Sequence, residues 1–159
     1  MTTYPLLNPE SVQRRLVALR ERLDELRQLG DVTADRLAAD WLVRAAVERV
    51  LTQLVELAAQ INTHVVTAAG KVPPAEYRES FASAATVGVL SQDLAAKIAP
   101  SAGLRNILIH QYLDADLEIV ANSVGEAIAD YAAYVREVAT WLTAQTGTET
   151  RRSSPDTTG

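Results

Sequence analysis

The residues best equipped for chemistry in this chain sit in one short segment, Arg105-Asn106-Ile107-Leu108-Ile109-His110-Gln111-Tyr112. A histidine titrates near neutrality, so His110 can move a proton to or from a ribose 2′-hydroxyl or a leaving 5′-oxygen. Arg105 can grip a scissile phosphate through paired hydrogen bonds and stabilise the charge that builds during its transfer. Asn106 can orient either group or the substrate. With the 2′-hydroxyl as the attacking group, this chemistry needs neither a protein nucleophile nor a metal. Taken on these two residues alone, the rival reading is a structural histidine near a helix end with an arginine at a chance spacing.

The segment has to be positioned by a helix. At ~100° per residue, Leu104, Ile107 and Leu108 share one face and are expected in the core. Arg105, Asn106, His110 and Tyr112 occupy the remaining surface, with Asn106 and His110 one turn apart and Arg105 and Tyr112 two turns apart. Arg105 and His110 lie ~140° apart around a regular helix, so they flank a groove and do not touch. A second copy of the helix, brought in by a two-fold dimer, would close that groove; fraying near His110 would do so too.

The elements around this segment are helical. Asn8 and Pro9 read as the cap and first position of a helix whose stripe is Val12, Leu16, Leu19, Leu23 and Leu26, ended by Gly30. A second, long helix is expected from Thr33 to Ala68, burying Leu37, Trp41, Ala45, Leu51, Leu54, Ala58, Ile61 and Val65. Gly70-Lys71-Val72-Pro73-Pro74 breaks the chain. A shorter helix follows from Ala75 to Thr86, with a restart at Ser91 after Gly88. The small residues of 81–90 suit a close helix contact, within or between chains. Pro100, Ser101 and Gly103 are expected to interrupt or kink the helix before Arg105. A last helix begins after Asp114 or Asp116 and carries Leu117, Val120, Val124, Ile128, Tyr131, Val135, Val138 and Leu142. The expected fold is all-α, an antiparallel bundle of four or five helices over 1–145, with a disordered tail over 146–159.

Composition narrows the function. The chain has 159 residues, 48% of them hydrophobic but only 5% aromatic, a balance that favours packed helices over a sandwich of sheets. The absence of cysteine removes disulfides and thiol chemistry, and two histidines, His64 and His110, make a metal site or other cofactor within the chain unexpected. No secretory signal or membrane span is visible, so a cytoplasmic protein is expected. A net charge of −5 argues against broad, charge-driven nucleic-acid binding while leaving room for a local basic groove. Arg14, Arg15, Arg20, Arg22 and Arg27 alternate with Glu21, Asp24 and Glu25, which reads as a solvated helix face, RNA contact being the alternative. His64 reads as structural, and Glu48 with Arg49 as a surface or interhelical pair.

Arg105-Asn106-x-x-x-His110-x-Tyr112 resembles the Arg-x4-His-x-Tyr signature of HepT-like toxins, helical ribonucleases of the HEPN superfamily. The resemblance extends to Ala46–Leu51 and Ala58–Asn62 on the long helix, to Tyr77–Phe81 after the proline break, and to Leu113-Asp114 beyond the motif. It spans roughly Asn8 to Leu142. It implies a HEPN bundle that dimerises and cuts RNA without metal in the cleft between protomers, with Arg105 and His110 catalytic and Asn106 supporting. It also implies a type VII toxin–antitoxin system whose partner, a minimal nucleotidyltransferase antitoxin, silences the toxin by AMPylation of Tyr112. Added phosphate charge and bulk there would repel and occlude RNA. The competing expectation is a non-catalytic HEPN module that binds a nucleotidyltransferase partner, and more distantly a purely structural bundle.

Overall fold

The computed structural model describes residues 6–152 and is helical throughout, without strands among those residues. The helices are α1 (Pro9–Gln28), α2 (Ala34–Ala39), α3 (Trp41–Ala68), α4 (Tyr77–Thr86), α5 (Gln92–Ile98), α6 (Pro100–His110) and α7 (Leu117–Arg152). A single 3-10 turn, Tyr112–Asp114, lies between the last two.

Local chemistry accounts for most boundaries. The Asn8 side chain accepts the Ser11 N–H at 3.0 Å and Pro9 opens α1, as the pattern predicted. The five expected residues of its stripe are all buried. Leu29 caps the far end, and Gly30 turns the chain with φ +69°, a left-handed conformation that a side chain would resist. Thr33 and Ser91 cap α2 and α5 through their hydroxyls.

The expected helix from Thr33 to Ala68 is two helices. Asp40 has extended backbone (φ −125°, ψ 98°), and its carboxylate accepts the N–H groups of Leu42 and Val43 at 3.1 and 3.2 Å. An aspartate that satisfies two free donors competes with helix continuation, so it closes α2 and opens α3. The break resets the helical phase. Trp41 and Ala45, expected in the core, are exposed, and the buried stripe of α3 starts at Val47.

Of two later boundaries, one matches expectation in part and the other differs from it. The break before Arg105 falls at Ala99; Pro100 opens α6, where its missing N–H costs nothing, and Gly103 lies within the helix without interrupting it. Helix α7 runs on to Arg152, past the composition change at Thr146 where a tail was expected. The hydroxyls of Thr146 and Thr148 bond back to the carbonyls of Leu142 and Ala144 within the helix, and no proline interrupts it. Residues 153–159 lie outside those described.

Helix α3 is the spine, touching α1, α2, α4, α6 and α7. Its pairing with α1 is antiparallel: Asn8 meets His64, Arg15 meets Gln60, and Arg22 meets Gln53. It is also antiparallel to α6, since Glu56 meets Arg105 and Arg44 reaches Tyr112. Phe81, Tyr131 and Tyr134 fill the centre, with Phe81 and Tyr134 edge to face at 6.1 Å. No helix among the described residues is long and apolar enough to cross a membrane.

Candidate active site

Arg105 sits in the middle of α6 with only 18% of its side chain exposed. A guanidinium so sheltered must be neutralised and hydrogen-bonded. Its Nη2 donates to Glu56 Oε1 of α3 at 3.1 Å, and its Nη1 donates to Asn106 Oδ1 at 3.2 Å. The guanidinium carbon lies 4.8 Å from the centroid of the Tyr77 ring, in the first turn of α4. This is a cation–π contact that lends the cation a negative face without consuming a donor. Nε is buried without an acceptor. Each terminal nitrogen keeps a further N–H, so the group can still meet a phosphate with two donors.

His110 is the last residue of α6 and is exposed. The helix ends because Gln111 leaves helical geometry (φ −137°, ψ 36°) while its N–H still bonds Ile107 O at 2.8 Å. No hydrogen bond or ion pair joins Arg105 to His110 among the described residues, in keeping with their expected separation around the helix. Tyr112 lies beyond that end, 53% exposed on the 3-10 turn. It therefore does not share the helical phase of Arg105 as two turns of unbroken helix would require. Arg44 of α3 holds the turn, donating from Nη2 to Tyr112 O at 3.0 Å and from Nε to Glu48 Oε1 at 2.9 Å.

Comparison with known proteins identifies the family and the fold. The family described as Ribonuclease HepT-like matches residues 19–138, three quarters of the chain. The chain belongs to the HepT-like ribonuclease family. It is 29% identical over 136 residues to the tRNA nuclease HepT of Aphanizomenon flos-aquae, covering 86% of this chain and 92% of that protein. Among solved structures, it resembles a tri-AMPylated HEPN toxin of Shewanella oneidensis in complex with an MNT antitoxin. That likeness has TM-score 0.75 at 20% identity and covers 84% of this chain and 99% of the other. A toxin–antitoxin structure with AMP-PNP matches with TM-score 0.74 at 21% identity, over 83% and 99% of the two chains. These two likenesses establish the shared all-helical fold. The recognition of a HepT-like ribonuclease from the motif therefore holds.

Within this HepT-like chain the core placement of the motif helix is mixed. Leu108 is buried and Leu104 half-buried, but Ile107, expected with them in the core, is 41% exposed. Glu48 pairs with Arg44, one turn back, and not with Arg49. Several arginines of α1 pair along their own helix, Arg14 with Glu10, Arg22 with Glu25 and Arg27 with Asp24, as a solvated face does. The His64 Nε2 accepts the Asn8 N–H at 2.9 Å and so ties the start of α1 to α3, a structural role. Sequence reasoning missed Glu56, Tyr77 and Arg44. Glu56 had a signal: it is the single formally charged residue between Arg49 and Lys71. A lone carboxylate in an otherwise uncharged helical stretch calls for a partner.

Proposed function

We propose that this HepT-like chain is a metal-independent endoribonuclease toxin with Arg105 and His110 as its catalytic residues, Asn106 supporting, and Tyr112 as the site of its silencing. The observation that carries the reading is a sheltered, oriented guanidinium and an exposed imidazole on one short helix, with an exposed phenol just past its end.

In this mechanism, Arg105 grips the scissile phosphate and His110 takes the proton from the ribose 2′-hydroxyl. The 2′-oxygen attacks phosphorus, the bond to the 5′-oxygen breaks, and that oxygen gains a proton. The products are a 2′,3′-cyclic phosphate and a 5′-hydroxyl. Arg105 and His110 flank a groove, so a homodimer supplies the second wall and a second imidazole to protonate the leaving oxygen. The exposed Ile107, Ile109, Leu113 and Ile119 around the end of α6 supply apolar surface for such a contact. The Aphanizomenon relative is named a tRNA nuclease, which makes tRNA the first substrate to test.

Silencing follows from the turn. A nucleotidyltransferase antitoxin transfers AMP from ATP to Tyr112: the phenol oxygen attacks the α-phosphorus, pyrophosphate leaves, and a base on the transferase takes the phenol proton. The charge and bulk added beside His110 exclude RNA. The AMPylated state of the Shewanella toxin, crystallised with its antitoxin, supports this reading.

The test is cleavage of tRNA in EDTA by unmodified protein, beside Arg105→Ala, His110→Ala and protein treated with antitoxin and ATP. Cleavage by wild type alone is expected, with one or more added AMP groups per modified chain by mass spectrometry, lost in Tyr112→Phe. Absence of cleavage by a folded, unmodified dimer would leave a non-catalytic module that binds the nucleotidyltransferase.

A further inference from the structure

A buried chain of hydrogen bonds runs through the core toward the motif arginine. Tyr134 of α7 donates its hydroxyl to Asn62 Oδ1 of α3 at 2.7 Å. Asn62 Nδ2 donates to Ser80 Oγ of α4 at 3.1 Å, and Ser80 Oγ donates to the backbone carbonyl of Tyr77 at 2.6 Å. Asn62 and Ser80 are almost wholly buried, at 0% and 1% exposure. Polar groups placed so deep are costly unless satisfied, and a satisfied network holds one arrangement of the elements it joins.

What this network holds is the first turn of α4. That helix begins directly after the proline break without a side-chain cap at Glu76; Glu79 Oε2 accepts the Ala75 N–H at 3.3 Å across its entry, and the Ser80 bond ties the same turn to the core. The last member of the chain is the carbonyl of Tyr77, the residue whose ring lies 4.8 Å from the Arg105 guanidinium carbon. With Glu56 holding Nη2 and Asn106 holding Nη1, the ring supplies a third constraint, on the face of the guanidinium.

We propose that Tyr77 is a positioning residue for Arg105, and that the Tyr134–Asn62–Ser80 chain exists to hold its ring in place. The inference rests on the reading of Arg105 as the phosphate-binding group. Neither the motif nor the proposed mechanism uses Tyr77. Its ring face, not its hydroxyl, is the working part, because the contact is with the π system. Misaimed phosphate donors cost rate more than ground-state binding, since their bonds strengthen as charge develops in the transition state.

The experiment is steady-state cleavage of tRNA by full-length wild type, Tyr77→Leu, Tyr77→Phe, Ser80→Ala and Arg105→Ala, with melting temperatures for each. Alongside it, the Arg105 Nε–H resonance is followed by NMR and assigned by its loss in Arg105→Ala. Tyr77→Leu is expected to lower kcat about 10- to 100-fold with little change in KM. Tyr77→Phe should recover most of that rate, and Ser80→Ala should fall between. The ring-current shift of the Nε–H should persist in Tyr77→Phe and vanish in Tyr77→Leu. If Arg105→Ala is inactive while Tyr77→Leu keeps wild-type kcat, the inference fails and the reading of Arg105 stands. If Arg105→Ala cleaves like wild type, that reading fails first. A Tyr77→Leu rate loss that Tyr77→Phe does not repair, with the resonance unmoved, would also overturn the role of the ring.

Discussion

Glu56 faces two opposed demands from Arg105. Its carboxylate anchors a guanidinium that would otherwise be half-buried and unpaired, yet it also competes with the phosphate that Arg105 is proposed to bind. With Arg105 18% and Glu56 33% exposed, losing the carboxylate would loosen the guanidinium and would also free an Nη2 donor for phosphate. Glu56→Ala should therefore lower KM while also lowering kcat by about tenfold, a split that steady-state kinetics on one RNA would show. A parallel fall in affinity and rate would mean that Glu56 only maintains the fold. His64 invites a different measurement. Burial, reinforced by the nearby Arg15 charge, lowers its pKa below the ordinary 6.5, and its neutral Nε2 is the acceptor for Asn8. Above 6.5 both folded and unfolded chains hold neutral imidazole. As pH falls below it, the unfolded chain binds the proton first, so this part of the stability is lost until the lower folded-state value is passed. The melting temperature should fall as the pH drops from about 7.5 through the ordinary 6.5, and His64→Gln should flatten that fall.

At the scale of elements, the decisive features are where helices stop. Asp40 turns one predicted helix into two, and in doing so directs α3 along the motif helix, where Arg44 and Glu56 meet the turn and Arg105. Removing its carboxylate leaves the Leu42 and Val43 N–H groups without that acceptor. Asp40→Ala should cost about 1 kcal/mol in urea unfolding, and Asp40→Asn or Asp40→Ser much less. An unchanged midpoint for Asp40→Ala would mean that packing alone sets the break. The end of α6 matters in the same way. Because the helix stops at His110, the imidazole stands at a terminus and Tyr112 stands on a separate turn, free of the helical phase.

Across the whole molecule, one polar chain links α7, α3 and α4 through the apolar centre. Tyr134 serves it twice, packing its ring on Phe81 and giving its hydroxyl to Asn62, with Ala58 O also within reach at 3.1 Å. Burial pushes the Tyr134 phenol well above its ordinary pKa, so it remains a donor at any working pH. Tyr134→Phe keeps the ring but strands a buried acceptor, and should destabilise the protein by about 1–3 kcal/mol. Chemical unfolding would check this, and a loss well under 1 kcal/mol would show that Asn62 finds another donor.

The sequence by itself determined the all-helical class, the stripe of α1, the cap at Asn8, the helix starts near Thr33 and Ser91, and the family through its Arg-x4-His-x-Tyr motif. Each of these depends on neighbours within a few turns of chain, where side-chain type and helical spacing decide the outcome. Trp41 and Ala45 were misplaced because the break at Asp40 ends the phase set by Leu37, so spacing counted on from that residue does not carry into α3, a competition between a local cap and a long apolar pattern. The reach of α7 to Arg152 was hidden for the converse reason, since polar composition marks a tail only when the helix is not already propagating through it. Glu56, Tyr77 and Arg44 lie 28 to 68 residues from the motif groups they hold. Their meeting was decided only by the packing of α3, α4 and α6, because no periodicity within one helix records which residue of another will face it.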